Sequence, residues 1–101
     1  MLMGEDRIMS RQALVLEAVK RGKYAPLFHH LTGLGTSEWA TTFSELEGIL
    51  GFKLPNSAHL YRPWWANDAK SGHSQSMAWT AAGWRTAQVD LEAGNLTFQR
   101  I

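Results

Sequence analysis

Cysteine is absent from this 101-residue chain. Without a thiol there is no disulfide framework and no thiolate to hold zinc or an iron–sulfur cluster or to act as a nucleophile, which excludes several classes of small protein. Long apolar runs are missing too. Between Met1 and Val19 the apolar residues are interrupted by Glu5, Asp6, Arg7, Arg11 and Glu17, and no later window approaches the run of about twenty residues that a bilayer requires. Neither a secretory signal nor a membrane span is therefore expected, and the cytoplasm is the default location. Charge of one sign is also lacking, because ten Lys and Arg against nine Asp and Glu leave a formal +1. A protein that coats polyanions indiscriminately needs more, so any nucleic-acid reading must rest on where the charges lie. The chain has no internal repeat and no low-complexity segment.

What is present fits one domain. A chain of this length buries roughly 60–70% of the surface its unfolded form exposes, enough for one core but not for a deep enclosed active site as well. Residues 1–22 carry the net +1, and 23–101 hold six basic and six acidic groups. Within 49–89, however, Lys53, Arg62, Lys70 and Arg85 face Asp68 alone, a local +3 that also includes His59 and His73.

Glycine and proline punctuate the chain. Ser10 to Arg21 reads as a helix with Ser10 as N-cap, an apolar stripe of Leu14, Val15, Ala18 and Val19, and Gly22 beyond its end. Tyr24 to Thr32 is a second helix, with Pro26 in its first turn and Leu27, Phe28 and Leu31 inward. Trp39 to Phe43 is a short strand candidate. Ser44-Glu45-Leu46-Glu47 matches a capping box and predicts a helix that stops at Gly51. Leu54 to Ser57 reads as a turn feeding a short helix to Tyr61, which Pro63 ends, while 64–72 has no clear periodicity. Ser74 to Ala82 is a helix closed by Gly83. Trp84 to Leu91 and Leu96 to Arg100 alternate as strands of a hairpin turned at 92–95, with Arg85, Ala87, Val89 and Leu91 on one face. The fold class expected is α+β. After Gly22 the order of elements is that of a small winged-helix-like domain with an enlarged connection between its second and third helices, preceded by an N-terminal helical extension, 1–22.

No catalytic constellation emerges. His29 and His30 are adjacent and point about 100° apart on a helix, so they cannot both bind one ion unaided, and a polar-face His beside one packed against the first helix is expected. Asn67, Asp68 and His73 lack the preceding hairpin and Asp-His pair of a His-Asn-His nuclease, and Ser44 and Ser74 sit in no nucleophile elbow. Gly33-Leu34-Gly35-Thr36 lacks the Lys and spacing of a phosphate loop. The reading is non-enzymatic, with no metal and no cofactor implied.

The stretch Arg62 to Gln75 differs in kind. Arg62, Lys70 and Arg85 can neutralise phosphates, Asn67, His73 and Gln75 can approach base edges or sugar, and Trp65 can support or stack on bases. Against this stands the tendency of a Trp pair in a small domain to be core, a role also expected of Trp39, Trp79 and Trp84. A winged-helix arrangement would bring Arg85 near His73 and Gln75. Two functions follow as expectations: a duplex-DNA-binding module, or a protein-interaction module such as a small inhibitor, an antitoxin-like partner or a phage or mobile-element effector. The apolar stripe of the 10–21 helix further suggests a homodimer or a protein partner.

Several blocks in fixed order carry a resemblance: Lys23-Tyr24-Ala25-Pro26-Leu27, Phe43-Ser44-Glu45-Leu46-Glu47, Leu54-Pro55-Asn56-Ser57-Ala58, Trp64-Trp65-Ala66-Asn67-Asp68, His73-Ser74-Gln75 and Ala82-Gly83-Trp84. Together they make Lys23 to Arg100, about three quarters of the chain, similar to a small uncharacterised domain family of bacteria and mobile elements. The resemblance implies that the core begins near Lys23, and it brings no established activity.

Overall fold

The periodic segments fold where their spacing places them. A computed structural model describes residues 11–68 and 73–101, so the expected cap Ser10 and the candidate residue Lys70 lie outside the described residues. Helix α1 spans Arg11–Arg21 and α2 Ala25–Thr32, followed by strand β1, Glu38–Thr42. Helices α3 (Phe43–Leu50) and α4 (Asn56–Leu60), a 3-10 turn (Arg62–Trp65) and helix α5 (Ser74–Ala81) come next. Strands β2 (Trp84–Asp90) and β3 (Asn95–Arg100) end the chain. All three strands are antiparallel in the order β1-β3-β2, which makes the domain α+β.

Burial alternates along the strands, and the inward face receives the helices. Trp79, Trp84, Leu31 and Phe98 are wholly buried, and Leu46 and Leu96 nearly so. The rings of Phe43, Trp65 and Trp79 stack in sequence, with centroids 4.9 and 6.0 Å apart and planes within 18° and 15°. Trp84 is held at both ends: its Nε1–H donates to the Leu31 carbonyl at 3.1 Å, and the Arg100 guanidinium lies 4.6 Å from its ring centroid. Arg100 also donates to the carbonyls of Leu34 and Thr36, fastening the end of β3 to the segment that leads into β1. Tyr24 packs edge-on to Phe52 and Trp64, and burial pushes its phenol above the ordinary value of 10.0.

Four local expectations are corrected. The cap of α3 is Thr42, whose hydroxyl accepts from the Glu45 N–H at 3.0 Å; Ser44 lies inside the helix, and Phe43 is helical rather than the last strand residue. Glu47 instead reaches forward, accepting the Leu54 N–H at 2.8 Å and so tying the turn after α3 back to that helix. On α1, Val19 is buried but Leu14, Val15 and Ala18 are exposed, so only one residue of the expected stripe is used. His30 packs on Trp39 of β1, with ring centroids 4.5 Å apart, rather than on the first helix.

The fourth correction is in β2. Ala87 pairs with Thr97 but Asp90 pairs with Asn95, so three steps along β2 match two along β3, and Gln88 takes a positive φ of 50°. That β-bulge inverts the facing of the strand. Before it Trp84 and Thr86 point inward and Arg85 outward; after it Val89 returns to the packed side. Arg85 and Val89 therefore do not share a face.

Two substitutions test the corrected cap. Thr42→Ala should lower the unfolding free energy by about 1 kcal/mol. Ser44→Ala should leave it unchanged or raise it by up to about 0.5 kcal/mol. Urea denaturation measures both, and the reverse ranking would return the cap to Ser44.

Candidate nucleic-acid interface

The aperiodic stretch after α4 is organised by side chains rather than by backbone repeats. Pro63 opens the 3-10 turn, which carries Trp65 into the core. Trp65 is 2% exposed, and its Nε1–H donates to the Ala58 carbonyl at 2.8 Å, so no face of the indole is open for stacking on a base.

Asn67 follows directly. Its Oδ1 accepts from the Thr86 N–H at 2.8 Å and from the Trp79 Nε1–H at 2.9 Å, while its Nδ2 donates to the Thr86 carbonyl at 3.0 Å. One side-chain amide thereby serves both backbone groups of a strand residue and a core indole. Thr86 returns the contact, its hydroxyl donating to the Trp65 carbonyl at 2.7 Å. Gln75 is buried and donates to the Trp64 carbonyl at 3.2 Å. Ser76 donates to the carbonyls of Asp68 and His73.

The remaining candidates scatter. Arg62 is exposed, with its Nη1 donating to the Val89 carbonyl at 2.6 Å. His73 is exposed immediately before α5. Arg85 stands on the outer face of the sheet, donating to Gln99 Oε1 at 3.0 Å, and Gln99 in turn donates to Glu38 at 3.2 Å. Gln75 is on the inner side and Arg85 on the outer, so Arg85 does not converge with it as expected. Trp65, Asn67 and Gln75 hold the fold; Arg62, His73 and Arg85 present charge or polarity to solvent at separate places. Among the described residues no three His, Asp or Glu side chains gather as a metal site.

A different set of residues is brought together. Gly51 ends α3 in the left-handed conformation, φ 84°, and its N–H bonds to the Glu47 carbonyl, so the chain turns sharply into α4. Along the turn and α4, Lys53, Asn56, Ser57, His59, Leu60 and Tyr61 are exposed and lead straight into Arg62, whereas only Leu54 and Ala58 are buried. Leu60 is 80% exposed and Tyr61 60%. Helix α5 has no such surface, since Gln75, Ser76, Ala78 and Trp79 are all buried. The short helix is expected from the sequence, but its exposed face is not among the binding candidates, because five residues show little periodicity. The usable signal was the single inward Ala58 between Pro55 and Pro63.

These features define a small α+β domain with five helices among the described residues, three of them lying between the first strand and the terminal hairpin. The chain belongs to a family of domains of unknown function, DUF7662, which matches residues 24–101 and so begins after α1. No curated protein and no solved structure matches it.

Removing the Asn67 amide leaves an indole N–H and both strand groups of Thr86 without partners. Asn67→Ala should therefore cost about 2–3 kcal/mol, whereas Arg85→Ala should change stability by no more than about 0.5 kcal/mol. Thermal or urea unfolding compares them, and equal small effects would mean that water takes the place of the Asn67 amide, whose residue is itself exposed.

Proposed function

We propose that this chain is a non-enzymatic duplex-DNA-binding module of winged-helix type that docks through α3, the turn and α4. The observation that carries the reading is the exposed run Lys53 to Arg62 on the second member of a helix-turn-helix pair, beside a sheet ordered β1-β3-β2. Helix-turn-helix proteins contact base edges from the second helix while the first crosses the backbone. Here Lys53 and Arg62 would meet phosphates, and Lys70 is assigned the same role on its charge alone. Asn56, Ser57 and His59 would face base edges or sugar, with Tyr61 alongside. Trp65, Asn67 and Gln75 act behind this surface by fixing where α4 and the 3-10 turn sit. A cytoplasmic location is part of the same proposal, and among the described residues no helix is long and apolar enough to cross a membrane.

A second reading, a protein-interaction module, is favoured by a specific observation: Leu60 on α4, Tyr61 just after it, and Leu14 and Val15 on α1 expose apolar surface. In that case α1 is the natural contact for a protein partner or a second copy.

Fluorescence polarisation with random duplex at two salt concentrations separates the two. Three or four phosphate contacts predict that log K falls with log salt at a slope of about −3. Arg62→Ala and Lys70→Ala should each weaken binding and reduce that slope by about 1. Absence of binding at low salt, or binding indifferent to salt, would leave the protein-interaction reading.

A further inference from the structure

The two edges of the sheet are treated differently. Ile101 N–H bonds to the Gly83 carbonyl, and Arg85 pairs with Gln99, so ahead of the bulge the odd residues of β2 face β3 and the even ones, including Thr86, turn their N–H and C=O to the outer edge. That edge is closed. Asn67 takes both backbone groups of Thr86, Arg62 takes the Val89 carbonyl, and the bulge at Gln88 breaks the line. Side-chain pairing and bulges are the means by which proteins block unwanted strand addition.

On β1, among the described residues, no side chain takes the backbone groups of Ala40. Arg100 N–H bonds to the Ser37 carbonyl and Phe43 N–H to the Gly94 carbonyl, so Trp39 and Thr41 face β3 while Glu38, Ala40 and Thr42 direct their backbone groups outward. The strand Glu38-Trp39-Ala40-Thr41-Thr42 has no Pro, no Lys and no bulge. Its three edge residues are exposed. The Glu38 carbonyl receives the Thr36 hydroxyl at 2.9 Å, and Thr42 turns into α3, so the open stretch is short and centred on Ala40.

We infer that β1 is a self-association strand through which two copies of this chain pair antiparallel about a two-fold axis at Ala40, joining two three-stranded sheets into one of six strands. The register is self-complementary. Ala40 of one copy exchanges both backbone bonds with Ala40 of the other. Glu38, the only charged residue of β1, lies opposite Thr42 rather than another acid, so no like charges meet. The small Ala40 side chain leaves the outer face clear at the axis. This inference stands independently of DNA binding.

Sedimentation velocity over a wide range of protein concentration tests it. The mass should rise from one chain's 11.3 kDa towards twice that value. Ala40→Lys places two ammonium groups across the axis on an exposed site, and Ala40→Pro removes an N–H that faces the open edge and not β3. Each should raise the concentration needed for dimerisation by at least about tenfold, about 1.4 kcal/mol in binding, with an unchanged circular dichroism spectrum. Because Ala40→Lys alters no backbone bond, it serves if the proline variant fails to fold. A wild-type chain that stays at the mass of one copy overturns the inference, as does a dimer that persists in folded Ala40→Lys and so forms elsewhere.

Discussion

The side-chain amide of Asn67 is the link on which loop, core and sheet edge jointly depend. An amide side chain has the donor and acceptor of a peptide unit, so it can stand in for a strand residue where no strand is present. Here it pairs with Thr86 and also accepts the indole N–H of Trp79, a wholly buried ring. The segment after the 3-10 turn is thereby held to β2, Trp79 has its polar atom satisfied, and an edge that would otherwise be open is closed. Each of these groups is costly to leave unpaired in the interior.

From that link the rest of the architecture follows outward. Thr86 fastens the Trp65 carbonyl, which sets the indole between Phe43 and Trp79. Phe43 is the first residue of α3 and bonds by its N–H to Gly94 in the hairpin, so the ring stack joins α3, the 3-10 turn and α5 to the sheet. Ala58 receives the Trp65 N–H from the other side and fixes α4. With its inward contacts thus used, α4 has only exposed side chains left to present. On the proposed DNA-binding reading that rigid placement matters, because contacts to base edges depend on position to a fraction of a hydrogen-bond length.

Much of the fold was legible because its signals are local. Apolar spacing and glycine stops located the long helices and the hairpin within a residue or two, and the element order led to an α+β class. What failed needed partners distant in sequence. Thr42-x-x-Glu45 and Ser44-x-x-Glu47 both fit a capping box, and the bond from Phe43 to Gly94 starts the helix at the earlier one. The bulge at Gln88 carries no residue signature, yet it moves Arg85 to the opposite face from Val89. The composition of Arg62 to Gln75 suggested a binding surface, but its Asn, Gln and Trp find backbone partners within the domain. Polar residues suited to reading bases are equally suited to bonding a peptide group, and composition alone does not separate the two uses.

Trp65, Asn67 and Gln75 hold the frame, and on the proposed reading the exposed residues between Lys53 and Arg62 meet the ligand. Amide and indole N–H shifts followed by NMR during titration with duplex DNA test it most directly. Shifts should concentrate between Lys53 and Arg62, with the indole signals of Trp65 and Trp79 and the side-chain amide of Asn67 nearly unmoved. Large shifts at those three groups, with α4 unperturbed, would contradict it.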